Sequence, residues 1–254
     1  MRNYLIPVLA VLLAVAVTAT MDFTGLTEYS ALPLLGIILL FWILQKNTKA
    51  EMGIKTGRFK FYGLALLYPV VVLGICALIA YFAGEISQSE IDDRLLLNII
   101  SGILIGPVIL VLTEEGFFRG WLWGALRRLK LSEVKILLLT TGAFVIWHIS
   151  AVTSGSDYSV PVSQVPVYLI NVALLGLIWG LLRSASGSVI VPALSHGVWN
   201  TLAYALFGYG EKSGLLGIEE TSIYGPEVGY LGILINGIFL IFLWRVTGSS
   251  RNKY

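Results

Sequence analysis

Charged residues and cysteines are scarce in this chain of 254 residues. Asp, Glu, Lys and Arg together make up only 13% of the sequence, whereas hydrophobic residues make up 57% and the mean hydropathy is +0.84. This composition excludes an ordinary soluble globular domain and indicates an integral membrane protein. The single cysteine, Cys76, excludes an intramolecular disulfide and gives no sign of redox chemistry.

Long polar segments are also missing. The longest gap between apolar runs, at 207–227, has only about two dozen residues, too few for a separate folded domain. We therefore predict a single domain, 1–254, whose chemistry takes place in or beside the bilayer. The sequence has no HExxH zinc motif, Walker loop or dinucleotide fingerprint, and with a net charge of only +2 we expect no nucleic-acid partner.

Apolar runs long enough to cross a membrane recur along the chain. A bilayer core about 30 Å thick requires roughly 20 apolar residues per helix. The predicted fold class is an all-α polytopic membrane protein with about eight transmembrane helices. The predicted spans are 4–20, 29–44, 61–82, 95–126, 134–152, 160–182, 188–206 and 228–246.

The fourth run, 95–126, is too long for a straight perpendicular helix, at about 48 Å if helical throughout. We therefore expect it to tilt, break or project into the cytosol. Within it Gly116, Gly120 and Gly124 recur every four residues. Such a stripe predicts a surface that another helix can approach closely.

Basic residues gather in alternate gaps between the runs. Most of the seventeen Lys and Arg residues lie in one set of alternate gaps. These are Arg2, Arg183 and the basic residues within 46–60, 127–135 and 245–253. The other gaps hold most of the acids, namely Asp22, Glu28, Asp157 and those at 85–93 and 211–227. The positive-inside rule then predicts that both termini are cytosolic and that 46–60 lies along the inner lipid surface. The first run also fits a signal peptide. Its removal would leave the predicted orientation of every later span unchanged.

Residues 113–120, TEEGFFRG, place three charges inside an apolar run. A charge near the middle of a membrane helix costs about 2.5–3.5 kcal/mol. Glu115 and Arg119 are four residues apart, with the acid nearer the N-terminus, which favours an ion pair. Glu114 points about 100° away and has no partner in its own segment.

The only two histidines, His148 and His196, both lie in apolar runs, and Asn200 follows His196 on the same helix face. Counted from the cytosolic ends of their spans, Glu114 is about 18 Å deep, His148 about 21 Å and His196 about 12 Å. These depths overlap. They predict a polar intramembrane chamber that also contains Glu115, Arg119 and Asn200.

This set of side chains suits hydrolysis of an amide or ester bond. A buried carboxylate can act as general base toward water, and a neighbouring imidazole can hold that water. A second imidazole and an amide on one helix face can donate to the oxyanion of a tetrahedral intermediate. Ser150 and Ser195 each adjoin a histidine in sequence, but adjacent helix positions diverge by about 100°, so no nucleophilic triad is predicted.

Three motifs resemble those of the CPBP family of intramembrane proteases. EEGFFR resembles EExxxR, FVIWH resembles FxxxH and HGVWN resembles HxxxN, in the family's order, over a motif core at 113–200. That family includes the type II CAAX prenyl endopeptidases and bacterial Abi-type proteins linked to bacteriocin self-immunity. The eight-span layout also looks like that of the CAAX enzymes.

The resemblance implies an all-helical peptidase that opens toward the cytosol and the lipid. It implies Glu114 as general base, His148 as positioner of water, and His196 with Asn200 as oxyanion hole. Glu115 and Arg119 would shape the site. The substrate would be a membrane-associated protein or peptide, prenylated if the role is CAAX-type.

Two questions stay open at this stage. Glu114, His148 and His196 could alternatively bind zinc with water as fourth ligand, but His196 beside Asn200 suits an oxyanion better, so we expect no cofactor. The same intramembrane acids and histidines would also serve a proton-coupled transporter. A non-catalytic scaffold or immunity-type protein is the third alternative.

Overall fold

A computed structural model describes residues 4–87, 93–154, 158–210 and 212–251, with side chains described up to 248. Some charged residues used above to predict orientation lie outside these residues or their described side chains. They are Arg2, Glu90, Asp92, Asp157, Glu211, Arg251 and Lys253.

The chain is almost entirely helical, as the composition predicts, with 74% of its residues in helices. A short hairpin pairs Gly208 with Ser213 and Tyr209 with Lys212 in antiparallel register. The helices are α1 (Leu5–Phe23), α2 (Pro33–Gln45), α3 (Lys60–Phe82), α4 (Leu95–Leu112), α5 (Trp123–Arg128), α6 (Glu133–Thr153), α7 (Val165–Ser186), α8 (Ile190–Phe207), α9 (Thr221–Tyr224) and α10 (Tyr230–Arg251).

Seven helical segments of the described chain are long and apolar enough to cross a membrane. They confirm a polytopic all-α membrane protein. The predicted seventh span, 188–206, forms α8, which is not among the seven. That helix carries His196 and Asn200 and is mostly buried against its neighbours, so it does not need an apolar surface throughout.

The predicted fourth span, 95–126, is broken. It consists of α4, a π-helical segment at Gly116–Leu122, and α5. The core surrounds this broken segment, and its largest fully buried side chains include Trp121, Trp123, Trp179 and Trp199.

A glycine contact does bring two helices close together, but it is not the predicted stripe. A Cβ atom on Gly197 of α8 would lie 2.7 Å from the ring of Pro107 on α4, and one on Gly102 would lie 2.7 Å from Thr201. Within the predicted stripe, a Cβ atom on Gly116 would lie 3.2 Å from Ile38 of α2, whereas Gly120 and Gly124 face carbonyl oxygens of a turn. The predicted stripe therefore meets another helix at Gly116 and a turn at the other two glycines, because the π-helical segment changes which residues share a face.

That turn, residues 46–53, covers one end of the helix bundle. Arg128 donates from Nε and Nη2 to the two carboxylate oxygens of Glu51, at 2.7 and 2.6 Å. These bonds lower the pKa of Glu51 to about 2, so it remains ionised at neutral pH. We call this the basic end, because 46–60, Arg128 and Arg183 lie there, and the opposite end the acidic end.

Polar side chains join α1 to α6 near the acidic end. Trp147 donates from Nε1 to the hydroxyl of Thr18 at 2.8 Å, and the Ser150 hydroxyl donates to Asp22 Oδ2 at 2.6 Å. Ser150 therefore has a structural partner in Asp22.

We predict that Gly197→Ala destabilises the protein, because the new methyl group would overlap Pro107 and push α8 away from α4. The matched control is Gly74→Ala in α3, where a Cβ meets nothing within 4 Å. There alanine should be neutral or stabilising by up to about 1 kcal/mol, through its higher helix propensity. Thermal unfolding in detergent measures both, and shifts of the same sign would contradict the prediction.

Candidate active site

The two adjacent glutamates lie where α4 breaks. Thr113 ends the helix with φ −120° and ψ −105°, and its hydroxyl donates to the carbonyl of Ile109 at 2.8 Å. A Cβ atom on Gly116 would overlap the carbonyl oxygen of Val111, so only glycine permits this close backbone contact. π-Helical segments of this kind are frequent at functional sites.

The predicted ion pair between Glu115 and Arg119 is present and fully buried. Arg119 donates from Nη1 to Glu115 Oε1 at 2.9 Å, and both side chains are 0% exposed. Its Nη2 donates to the carbonyl of Gly176 on α7 at 3.1 Å, and its guanidinium lies over the Phe144 ring at 4.3 Å. The positive charge of Arg119 is therefore held by Glu115 on its own segment, by α7 and by α6.

His196 is fixed by the same carboxylate. Its Nδ1 lies 3.0 Å from Glu115 Oε1, and because an ionised carboxylate can only accept, Nδ1 is the donor. The ring stacks on Trp179 with centroids 3.7 Å apart and planes 18° apart. Nε2 is directed at Glu114, 4.0 Å from its Oε2.

His148 is held by its own helix. Its Nδ1 lies 2.8 Å from the carbonyl oxygen of Phe144, which can only accept, so Nδ1 carries the proton. In the neutral ring Nε2 is then an acceptor, the form that can receive a hydrogen bond from water. Trp147 packs edge-on against the ring, with centroids 4.8 Å apart.

One cavity of about 60 Å³, which we call the chamber, unites the predicted residues. Its volume exceeds what one water molecule needs. Glu114, His148, His196 and Asn200 all line it. Glu115 and Arg119 do not line it and instead lie behind His196.

Sequence reasoning missed a second carboxylate in the chamber lining. Glu227 precedes α10, and its Oε1 accepts a hydrogen bond from Trp199 Nε1 at 2.6 Å. Its main-chain carbonyl accepts one from Asn171 Nδ2 at 2.9 Å. Nothing in the sequence distinguishes this acid from Glu219 and Glu220, which share the same gap between apolar runs.

Two tyrosines complete the missed part of the lining. Tyr168 on α7 and Tyr204 on α8 border the chamber beside Glu227. Their neighbours in sequence are apolar, so a helical core position and a cavity position look the same in the sequence.

The side chains do not form a ready metal site. Within the described residues, no three His, Cys, Asp or Glu side chains converge in a metal-binding arrangement. His196 Nδ1 and His148 Nδ1 are both engaged by protein oxygens, and Glu114 is 4.0 Å from His196 Nε2. What does not fit zinc is that the ligands do not converge, since hydrogen bonding at Nδ1 still leaves Nε2 of both rings available.

Comparison with known proteins finds a family match in the region that contains the candidate site. Residues 95–202 match the family described as type II CAAX prenyl endopeptidase Rce1-like. The matched region contains all three motifs and confirms the family resemblance that they indicated. It supports a CAAX-type intramembrane endopeptidase in general. No individual curated protein matched the chain.

We predict that Glu115→Gln lowers the thermal stability of the protein strongly. It leaves the buried Arg119 without a counter-charge, and breaking a buried pair typically costs about 3–5 kcal/mol. Glu114→Gln is the matched control, since no described residue donates a hydrogen bond to the Glu114 side chain. Equal melting temperatures for the two variants in detergent would contradict the prediction that Glu115, and not Glu114, stabilises the fold.

Proposed function

We propose that this chain, whose central region belongs to the type II CAAX prenyl endopeptidase family, is an intramembrane endopeptidase in which Glu114 activates water. One observation carries the proposal: Glu114, His148 and His196 line one cavity, while a protein oxygen engages Nδ1 of each histidine. Both Nε2 atoms are thereby left for water or substrate.

Water is activated between Glu114 and His148. The water molecule donates one hydrogen bond to Glu114 and the other to His148 Nε2, which is an acceptor in the neutral ring. As the water oxygen attacks the carbonyl carbon of the peptide bond, its proton passes to Glu114. Glu114 then delivers this proton to the nitrogen of the leaving amine.

The oxyanion is received by His196 and Asn200. Because His196 Nδ1 already donates to Glu115, Nε2 can donate only when the ring carries both protons. We therefore assign the oxyanion role to the doubly protonated ring, together with the amide of Asn200 one turn later. Glu115 becomes a positioning residue for His196 as well as the partner of Arg119.

We propose that the reaction needs no metal ion. The argument is the donor set: the described residues offer no three converging His, Cys, Asp or Glu side chains, and His196 beside Asn200 suits an oxyanion better than a zinc shell. A glutamate-activated water accounts for the chemistry with the groups that line the chamber.

The substrate class follows from the location of the chamber. The protein is an integral membrane protein, and the family acts in general on membrane-associated, prenylated proteins. We propose a membrane-associated polypeptide as substrate, with lipid around it. The cytosolic location of both termini remains a prediction from the basic residues.

Removing the base should abolish cleavage. We predict that Glu114→Gln lowers the rate of peptide hydrolysis by about 10²–10⁴-fold, the usual contribution of a general base. His148→Ala and His196→Ala should lose activity as well. Assays would combine a fluorogenic prenylated C-terminal peptide with comparative proteomics of C-terminal peptides in cells that express each variant. Glu220→Gln, at the acidic end, is the control, and full activity of Glu114→Gln would refute the assignment.

Chelation should leave the enzyme active. We predict that treatment of the purified protein with a zinc chelator changes neither the cleavage rate nor the melting temperature. Loss of activity on chelation, restored by added zinc, would refute the metal-free mechanism and favour the zinc alternative with Glu114, His148 and His196 as ligands.

A further inference from the structure

Arg183, near the end of α7, is a buried cation that the proposed chemistry does not use. It is 1% exposed and is not part of the chamber lining. Among the described side chains, no carboxylate oxygen lies within 4.0 Å of its guanidinium. A buried charge without a counter-ion is unfavourable, so this one has to be held by other polar groups.

Two main-chain carbonyls hold the guanidinium. Nε of Arg183 donates to the carbonyl of Arg119 at 2.8 Å, and Nη2 donates to that of Glu51 at 3.3 Å. The same group lies over the Trp123 ring, 5.8 Å from its centroid. One side chain of α7 therefore connects the π-helical segment to the turn at 46–53.

The main chain of Arg119 matters because of what the Arg119 side chain holds. That side chain donates to Glu115 Oε1 at 2.9 Å, and the same oxygen fixes Nδ1 of His196 at 3.0 Å. A shift of the main chain at Arg119 would therefore be passed on to the His196 ring. Since a misplacement of about 1 Å can cost about 100-fold in rate, this part of the backbone has to be held firmly.

The turn meets the guanidinium at a glycine. Gly53 has φ +72°, a conformation that favours glycine, and a Cβ atom there would lie 2.5 Å from Cζ of Arg183. Its carbonyl accepts a hydrogen bond from the amide of Val189, just before α8, at 2.9 Å. The turn is thus fixed to the start of α8 as well, and the guanidinium lies directly against its backbone.

We propose that Arg183 is a positioning residue for the reaction: held by the turn at 46–53, it fixes the main chain of Arg119 and so keeps the His196 ring directed at Glu114. This inference rests on the proposed function and adds to it a residue that touches neither water nor substrate. It also gives the turn a part in catalysis, although the turn contributes no side chain to the chamber.

Removing the guanidinium should slow the reaction without weakening substrate binding. Arg183→Met keeps a long unbranched side chain but has no donor for either carbonyl. We expect kcat for the fluorogenic peptide to fall by about 10- to 100-fold. KM should stay within about twofold, because Arg183 lies outside the chamber. A rise in KM with unchanged kcat would refute the positioning role.

Two glycines with the same backbone angle separate positioning from stability. Gly53 and Gly57 both have φ +72°. At Gly53 a new Cβ meets the flexible end of Arg183, whereas at Gly57 it would lie 2.7 Å from the main-chain carbonyl oxygen of Ser186. Gly57→Ala should therefore lower the melting temperature more than Gly53→Ala. Only Gly53→Ala should lower kcat, because it displaces the guanidinium, and an equal loss in Gly57→Ala protein would overturn the proposal.

Combining two changes shows whether Gly53 acts through Arg183. If it does, Gly53→Ala in the Arg183→Met background should lower kcat by less than about twofold further, because no guanidinium is left to displace. Losses that multiply would show that the two residues act independently and would refute the coupling.

The His196 ring can be observed without any cleavage assay. The chain has only two histidines, so protein labelled with ¹⁵N-histidine and purified without a histidine tag gives imidazole NMR signals from His148 and His196 alone. The His148→Ala variant assigns them. We expect Arg183→Met to shift the signals of His196 and leave those of His148 in place. Gly53→Ala should do the same, and Gly57→Ala should move neither set.

The outcomes distinguish the two proposals. Unchanged His196 signals and unchanged kcat in Arg183→Met protein would refute the positioning role and leave the peptidase function standing. Shifted His196 signals, combined with no cleavage by the wild-type protein, would support the positioning contact and refute the peptidase function instead.

Discussion

A single carboxylate oxygen organises the centre of this protein. Oε1 of Glu115 accepts from Arg119 on its own segment and from His196 on α8, at 2.9 and 3.0 Å. A buried arginine requires a counter-charge, and an imidazole that is to act on a substrate requires a fixed ring. Since one atom meets both requirements, the ion pair that makes the charges tolerable in the membrane also aims Nε2 of His196 at Glu114.

Sequence reasoning recovered most of the architecture and much of the site. Membrane helices are predictable because length and hydropathy decide them almost alone. The chamber residues were predictable for the related reason that a polar group in an apolar helix is expensive, so Glu114, His148 and His196 stand out from their neighbours. Their common depth followed from the fixed rise of a helix.

What escaped prediction depends on contacts between distant parts of the chain or on local backbone geometry. The π-helical segment includes a close backbone contact at Gly116, and it leaves Gly120 and Gly124 of the predicted stripe facing a turn instead of a helix. Glu227 was invisible as a site residue because it lies in an acidic gap where carboxylates are common. Glu227 reaches the chamber only because its segment packs against Trp199.

The hydrogen bonds of Arg119 also constrain the order in which the protein can be assembled. Its acceptor on α7, the carbonyl of Gly176, follows it by 57 residues, and the histidine that shares its carboxylate follows Glu115 by 81. The charged segment therefore leaves the ribosome well before its partners exist. Until α7 and α8 have been inserted, Arg119 has Glu115 and the Phe144 ring of α6 beside it but lacks its acceptor on α7. Stable burial of this segment in lipid must await the second half of the chain, which makes membrane insertion here a cooperative event rather than a sequence of independent steps.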